Sequence, residues 1–374
     1  MRLFGMFLLA GWTLIMLYVV ARAATVPWVT RRIPRRVLFP AAGIVWASFA
    51  LEQTLGRNGA GPLLAALELV GMDALAVLFL LGLPLLAVDV VTGFGLFARP
   101  LVPRLRGAAL VAGGLLAAVA FAQGLRPPTV REHEVRLPGL PAALDGTTVV
   151  ALSDLHLGSL LGEKWLDARV AQVGSLRPDL VVFLGDLFEG HGRPAGQFLP
   201  LFKRFSAPLG VWAVTGNHEF HGARGGPADP LLEQAGFTVL RDRWAEVTPG
   251  LVLAGVDDLT ARRDTLAGSD PVGRALAGRP PGATVLLSHS PLEVARAAAA
   301  GAGLMLSGHT HGGQIWPFGY LARRIYPFFA GRYEVGGMTL IVSRGTGTWG
   351  PRMRLWYPGE ILKVTLRSVP GAAR

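Results

Sequence analysis

Hydrophobic positions follow two regimes along the 374 residues. In the first third they form long runs broken by few charges, and from Pro127 onward they come as short runs separated by polar loops. Leu3 to Ala21 carries no charge, and at ~1.5 Å of rise per residue it comes close to the ~30 Å of a bilayer core. It reads as a first membrane helix. A cleaved signal peptide is the competing reading, weakened by the single Arg2 before the run and by the run's length. Val37 to Leu55 is a second span and Leu69 to Val88 a third, with Pro84 as a kink that lipid-embedded helices tolerate. Ala108 to Ala122 is a fourth, rich in the small residues that let helices approach closely.

In the second regime the runs are strand-like. Thr147 to Leu152, Asp179 to Leu184, Val211 to Thr215, Thr284 to Leu287 and Leu304 to Leu306 read as buried strands. Glu163 to Leu176, with apolar Trp165, Leu166, Val170 and Val173, reads as a helix between the first two. Leu125 to Pro128 suits a short tether. The expected organisation is a membrane domain over 1–125, a linker and first strand region over 126–145, and a strand-rich domain over 146–374.

Charge sharpens the orientation. The formal net charge is +11, but residues 1–125 hold 10 basic against 4 acidic side chains, and the rest of the chain 26 against 21. No basic block suited to nucleic acid appears, so composition argues against nucleic acid as a partner, and the lipid bilayer is the partner expected of the first third. Arg22, Arg31, Arg32, Arg35 and Arg36 lie between the first two spans, and Arg99, Arg104 and Arg106 between the last two, whereas the middle loop has Arg57 alone. Basic loops stay cytoplasmic, which places the N-terminus and everything after Gln123 outside the cytoplasmic membrane. Arg126, Arg131 and Arg136 after the fourth span pull the other way. Glu68, Asp73 and Asp89 read either as a proton or ion path or, more simply, as groups at helix ends. Cysteine is absent, which removes disulfides, thiolate metal sites and cysteine nucleophiles.

Each strand-like run ends in side chains of metal-ligand type. Asp154 and His156 follow the first, Gly185-Asp186 the second, Gly216-Asn217-His218-Glu219 the third, His289 the fourth, and Gly308-His309-Thr310-His311-Gly312-Gly313 the fifth. Singly, each has a plain structural explanation, such as a turn or a helix cap. Together they take five of the eight histidines to strand ends, where open α/β sheets bind ligands. Of the others, His133 reads as a solvated linker residue, and His191 and His221 either line the site or face solvent.

The ordered blocks Asp-x-His, Gly-Asp, Gly-Asn-His-Glu, His and Gly-His-x-His over residues 146–313 resemble the calcineurin-like metallophosphoesterase superfamily. Ala254-Gly255-Val256-Asp257-Asp258, Gly312-Gly313-Gln314, Val342-Ser343-Arg344-Gly345 and Arg352 are similar to its bacterial membrane-associated branch, which includes relatives of UDP-2,3-diacylglucosamine hydrolases. The resemblance implies an α/β fold of four layers, two mixed sheets flanked by helices, here preceded by an all-α membrane domain of about four transmembrane helices. It also implies two divalent ions, with Mn, Fe, Zn or Ni all suited to sulfur-free oxygen and nitrogen ligands. Carried over by position, Asp154, His156, Asp186 and His311 would hold one ion, and Asp186, Asn217, His289 and His309 the other. His218 would bind phosphate or protonate the leaving oxygen, with Asn217 and Arg344 also touching substrate and Glu219 orienting His218 or the ligands around it.

The implied activity is hydrolysis of a phosphomonoester, phosphodiester or pyrophosphate. Tethering to a membrane points to a phosphorylated lipid or envelope substrate. Ile315 to Ala330, which mixes Trp316, Phe318, Tyr320, Tyr326, Phe328 and Phe329 with Arg323 and Arg324, reads either as a lid at a membrane interface or as a self-packed loop. Two other functions compete: a nuclease or soluble nucleotide phosphodiesterase, and a catalytically idle metal-binding interaction module.

Overall fold

The computed structural model describes residues 2–51, 61–189, 194–221, 229–262 and 269–369. The chain divides into two compact units, one of Met1–Arg126 with Gly350–Leu355 and one of Pro127–Trp349 with Trp356–Arg374.

The first unit is helical: α1 (Arg2–Ala23), α2 (Pro27–Arg32), α3 (Arg35–Leu51), α4 (Pro62–Val91) and α5 (Val102–Gly124). Among the described residues, Leu63–Val91 and Val102–Gly124 are long and apolar enough to cross a membrane, by length and composition. The expected four spans therefore stand at two by this measure. α3 has 17 residues, and the rest of the expected second span, beyond Leu51, lies outside the described residues. α4 continues through Pro84. Small residues let α5 approach α4 as expected: a Cβ on Gly113 would lie 2.7 Å from the Leu81 Cα, and Ala109, Ala117 and Ala120 are buried. The three carboxylates are embedded in packing. Asp89 accepts from Arg106 Nη2 at 2.7 Å, Arg22 Nε at 2.6 Å and Tyr18 Oη at 2.9 Å, which ties α1, α4 and α5 together. Asp73 accepts the Arg352 backbone N–H at 2.9 Å, and Glu68 is buried.

Among the described residues, the second unit holds twelve strands: β1 (Thr129–Leu137), β2 (Thr148–Leu152), β3 (Leu180–Phe183), β4 (Val211–Ala213), β5 (Thr238–Val239), β6 (Arg243–Thr248), β7 (Leu251–Gly255), β8 (Ala283–Leu287), β9 (Leu304–Ser307), β10 (Gly331–Val335), β11 (Met338–Val342) and β12 (Glu360–Ser368). They form two mixed sheets, ordered β1-β12-β2-β3-β4-β5 and β10-β11-β9-β8-β7-β6. In the first, β2 to β5 run parallel and β12 runs against β2; in the second, β7, β8, β9 and β11 run parallel between antiparallel edges.

The two-residue period of each strand decides which core its side chains enter. Val149 and Ala151 of β2, Ala283, Val285 and Leu287 of β8, and Leu362, Val364 and Leu366 of β12 meet in one core between the sheets. Val150 and Leu152 point the other way, into a core with Leu166, Val170 and Val173 of α6 (Glu163–Ser175), Phe202 of α7 (Leu199–Phe202) and Leu232 of α9 (Asp229–Gln234). Between α7 and α9 lies the short α8 (Asn217–His221). Leu286 and Met305 do the same on the second sheet, against α10 (Pro271–Leu276) and α11 (Val294–Ala299). The result is the expected helix-sheet-sheet-helix layering. A final helix, α12 (Phe318–Ile325), follows β9.

Every strand expected from the hydrophobic runs is present to within one or two residues. His133, expected to be a solvated linker residue, is instead half-buried in β1 opposite Val364. His191 lies outside the described residues, as does the side chain of His221.

Candidate metal centre

The parallel strands β2, β3 and β4 of one sheet and β8 and β9 of the other end in the loops that carry Asp154, His156, Asp186, Asn217, His289, His309 and His311. Two sheets thus contribute, three loops from the first and two from the second. The loops after β2, β3 and β9 turn sharply. Asp154, His156, Asp186, His309 and His311 all adopt left-handed backbone with φ between 47° and 72°. Non-glycine residues take this conformation rarely and at a cost, so five of seven candidates sharing it marks a place where the fold imposes the geometry. Gly216 serves the same end, because a side chain there would collide with the Asp186 carboxylate.

The side chains form two groups. Asp154, His156 and His311 offer ligand atoms within 4.8 Å of one another, as do Asp186, His289 and His309. In the first, His311 Nε2 lies 3.1 Å from His156 Nε2 and 3.3 Å from Asp154 Oδ1. In the second, His289 Nε2 is 3.2 Å from Asp186 Oδ2, and His309 Nδ1 is 3.2 Å from His289 Nε2 and 2.9 Å from Asn217 Oδ1. Asp186 Oδ2 also stands 3.8 Å from His156 Nε2, so it faces both groups.

These separations test whether an ion fits. Ligand atoms bonded to one divalent ion at ~2.0–2.2 Å, with angles of ~90–110°, stand roughly 2.8–3.6 Å apart, and most of the measured distances fall in that range. Two of them pair imidazole nitrogens with each other, an approach that needs a proton or a cation between the lone pairs. The residues present therefore fit a pair of divalent ions.

The outward-turned nitrogens of His289, His156 and His309 are also held. The Leu184 carbonyl, 2.8 Å from His289 Nδ1, can only accept, which puts the proton on Nδ1 and leaves Nε2 free to bind a metal. Glu189 lies 2.7 Å from His156 Nδ1, and Tyr326 Oη 2.7 Å from His309 Nε2. Glu219 accepts the backbone N–H groups of Asp186 at 2.9 Å, Leu187 at 2.8 Å and Gly216 at 2.7 Å. It staples the β3 and β4 loops together, where the sequence suggested that it orients His218 or the ligands.

Charge at the site is tightly linked. Burial works against a charged His156, but Glu189, Asp186 and Asp154 raise its pKa to about 9. Burial likewise opposes ionisation of Asp186, yet the imidazoles of His289, His218 and His156 hold it well below the usual carboxylate range. His289 is buried too, and Asp186, Asp154 and Asp258 lift it well above an ordinary histidine. His309 is lowered by burial and by His289. Burial and the Asp186 charge push Glu219 up to about 7, against its backbone donors.

His218 borders this centre. Its ring meets His156 edge-on with centroids 4.7 Å apart, and its backbone N–H donates to Asp186 Oδ1 at 2.8 Å. Arg344, expected to touch substrate, has its guanidinium on Glu360, with Nε 2.8 Å and Nη2 2.5 Å from Oε2. Glu189 and Tyr326 were not singled out as site residues from the sequence. Tyr326 was visible in the aromatic run, and Glu189 only as an acid three residues past Asp186.

Two sheets with carboxylate- and imidazole-bearing loops at the ends of their parallel strands, grouped closely enough to hold metal ions, define an α/β domain with a candidate metal centre. Residues 147–313 match the family model of the calcineurin-like phosphoesterases. The chain is 34% identical over 271 residues to a transmembrane protein with metallophosphoesterase domain from Bos taurus, which covers 68% of this chain and 61% of that protein. Its counterpart of the same name from Danio rerio is 35% identical, with 69% and 62% covered. A metallophosphoesterase of Aquifex aeolicus is 32% identical over 250 residues, covering 64% of this chain and 91% of the relative. The chain belongs to the calcineurin-like phosphoesterase family. Its match spans about three-fifths of the cattle and zebrafish proteins.

Proposed function

We propose that the protein is a membrane-anchored, dinuclear metal-dependent phosphoesterase acting on a phosphorylated lipid or another envelope phosphoester or pyrophosphate. The observation that carries this reading is the pair of ligand groups facing a shared Asp186, at separations suited to metal bonds. Asp154, His156, Asp186 and His311 would hold one ion, and Asp186, Asn217, His289 and His309 the other. Divalent ions bound there would supply charge to balance the phosphoryl oxygens and would acidify water for attack on phosphorus.

The chain's own groups do the rest. Asp186 draws the two ligand groups together, and its Oδ1 accepts the His218 N–H, which sets the His218 ring at the edge of the centre. From there His218 can bind a phosphoryl oxygen or hand a proton to the leaving oxygen. Asn217 would share substrate contact, and Arg344 would act mainly by holding the loop through Glu360.

Membrane anchoring rests on the two long apolar helices and on the transmembrane names of the two vertebrate relatives. Four spans, with the basic loops cytoplasmic, would put the catalytic unit outside the inner membrane. Full-length protein loaded with Mn, Fe, Zn or Ni should hydrolyse bis(p-nitrophenyl) phosphate, and Asp186→Ala should abolish turnover with an unchanged circular dichroism spectrum. Absence of turnover with all four metals would overturn the reading.

A further inference from the structure

The segment behind the His309–His311 loop divides into an inner and an outer half. Phe329 is buried, its carbonyl accepts from Thr310 Oγ1, and Phe328 packs on Tyr333 with ring centroids 5.2 Å apart. The helix α12 before it faces outward. Phe318, Leu321 and Ile325, at helical spacings of three and four, are 46%, 62% and 63% exposed, and Tyr320 is exposed beside them. Burial of such side chains is the rule, and a contiguous exposed set signals a partner.

The charges around this face limit what the partner can be. Arg323 and Arg324 of α12 are exposed, Arg323 with its guanidinium 5.0 Å from the centre of the Phe329 ring, and no acidic residue occurs between His311 and Tyr333. An apolar stripe beside arginines, with aromatic residues at its border, matches the layering of an anionic lipid surface, where acyl chains lie beneath phosphate headgroups. The same chain carries helices long and apolar enough to cross a bilayer. The segment is also joined to the candidate centre, since Tyr326, directly after α12, hydrogen-bonds to His309.

We propose that α12 is an interfacial helix that inserts Phe318, Leu321 and Ile325 into an anionic bilayer surface, holding lipid phosphate headgroups beside the metal centre. This rests on the phosphoesterase reading only for the headgroup's fate; the insertion itself stands on the surface of α12.

Because the chain lacks cysteine, a nitroxide can be placed at one position by Leu321→Cys in the full-length protein. Its collision rates with oxygen and with a water-soluble nickel chelate would be compared in vesicles of phosphatidylglycerol and phosphatidylcholine. A label at the exposed Ser175, introduced by Ser175→Cys, serves as the water reference. Insertion predicts an oxygen-to-nickel ratio several-fold higher at 321 than at 175, falling when Arg323→Glu and Arg324→Glu are added. Equal ratios at both positions would overturn the proposal. So would protection at 321 that persists in detergent and grows with protein concentration, which would mean a second copy covers the helix. Wild-type turnover of bis(p-nitrophenyl) phosphate, measured in parallel, reports on the catalytic reading separately: loss of insertion with turnover intact refutes only the docking of α12.

Discussion

Two buried clusters of charge, one in each unit, solve the same electrostatic problem differently. Asp89 in the helical unit is matched by the guanidinium groups of Arg22 and Arg106 and by the Tyr18 hydroxyl. Asp154 and Asp186 in the sheet unit face imidazoles that crowd one another at 3.1–3.2 Å. A guanidinium does not give up its proton, so the Asp89 cluster is permanently neutralised and can only fasten helices. An imidazole can exchange a proton for a metal, so the second cluster is of a kind that can take up cations. Buried carboxylates alone do not mark a site; the kind of cation beside them does.

Removing a carboxylate from each cluster should therefore have opposite consequences. Asp186→Ala should lower turnover on the order of 10⁴-fold, several kcal/mol of barrier, and remove the rise in melting temperature that added metal gives the wild type. Asp89→Ala leaves two arginines unmatched and should destabilise the helical unit by about 3–5 kcal/mol, with turnover per folded molecule unchanged. Thermal unfolding in detergent, with turnover measured in parallel, distinguishes the two.

The pH dependence sharpens the same contrast. The His156 pKa is raised from about 6.5 to about 9, so in the metal-free protein its contribution is fully present below pH ~6.5 and is lost as pH rises toward 9. That loss amounts to at most about 3 kcal/mol. Bound metal replaces the proton, so the gap in melting temperature between loaded and metal-free protein should widen from pH 6.5 to 9, and metal binding should release protons in calorimetry. Smaller still is the effect of Glu189→Gln, which keeps the shape but weakens the hold on His156 Nδ1. It should cost about 10–100-fold in metal affinity, read by competition with a chelating dye.

Most of the sheet unit was legible because its strands are short apolar runs ending in Asp, Asn and His, and local pattern suffices to see that. Membership of two different sheets was not, since β2, β3, β8 and β9 are buried on both faces and look alike in one dimension. The pairing of Arg344 with Glu360, sixteen residues on, and the grip of Glu189 on His156 arise from tertiary folding that periodicity does not encode. The left-handed backbone of His309 and His311 was hinted at by the flanking glycines, while that of Asp154 and His156 had no such signal. In the helical unit the arginines read as topology signals include two, Arg22 and Arg106, that also fasten Asp89.

The central claim is that two ions share Asp186. Metal per chain, counted by mass spectrometry after equilibrium dialysis of the full-length protein against Mn, tests it most directly. The account predicts two ions in the wild type, one in His311→Ala, and neither retained tightly in Asp186→Ala. A single ion in the wild type, or two in Asp186→Ala, would contradict it.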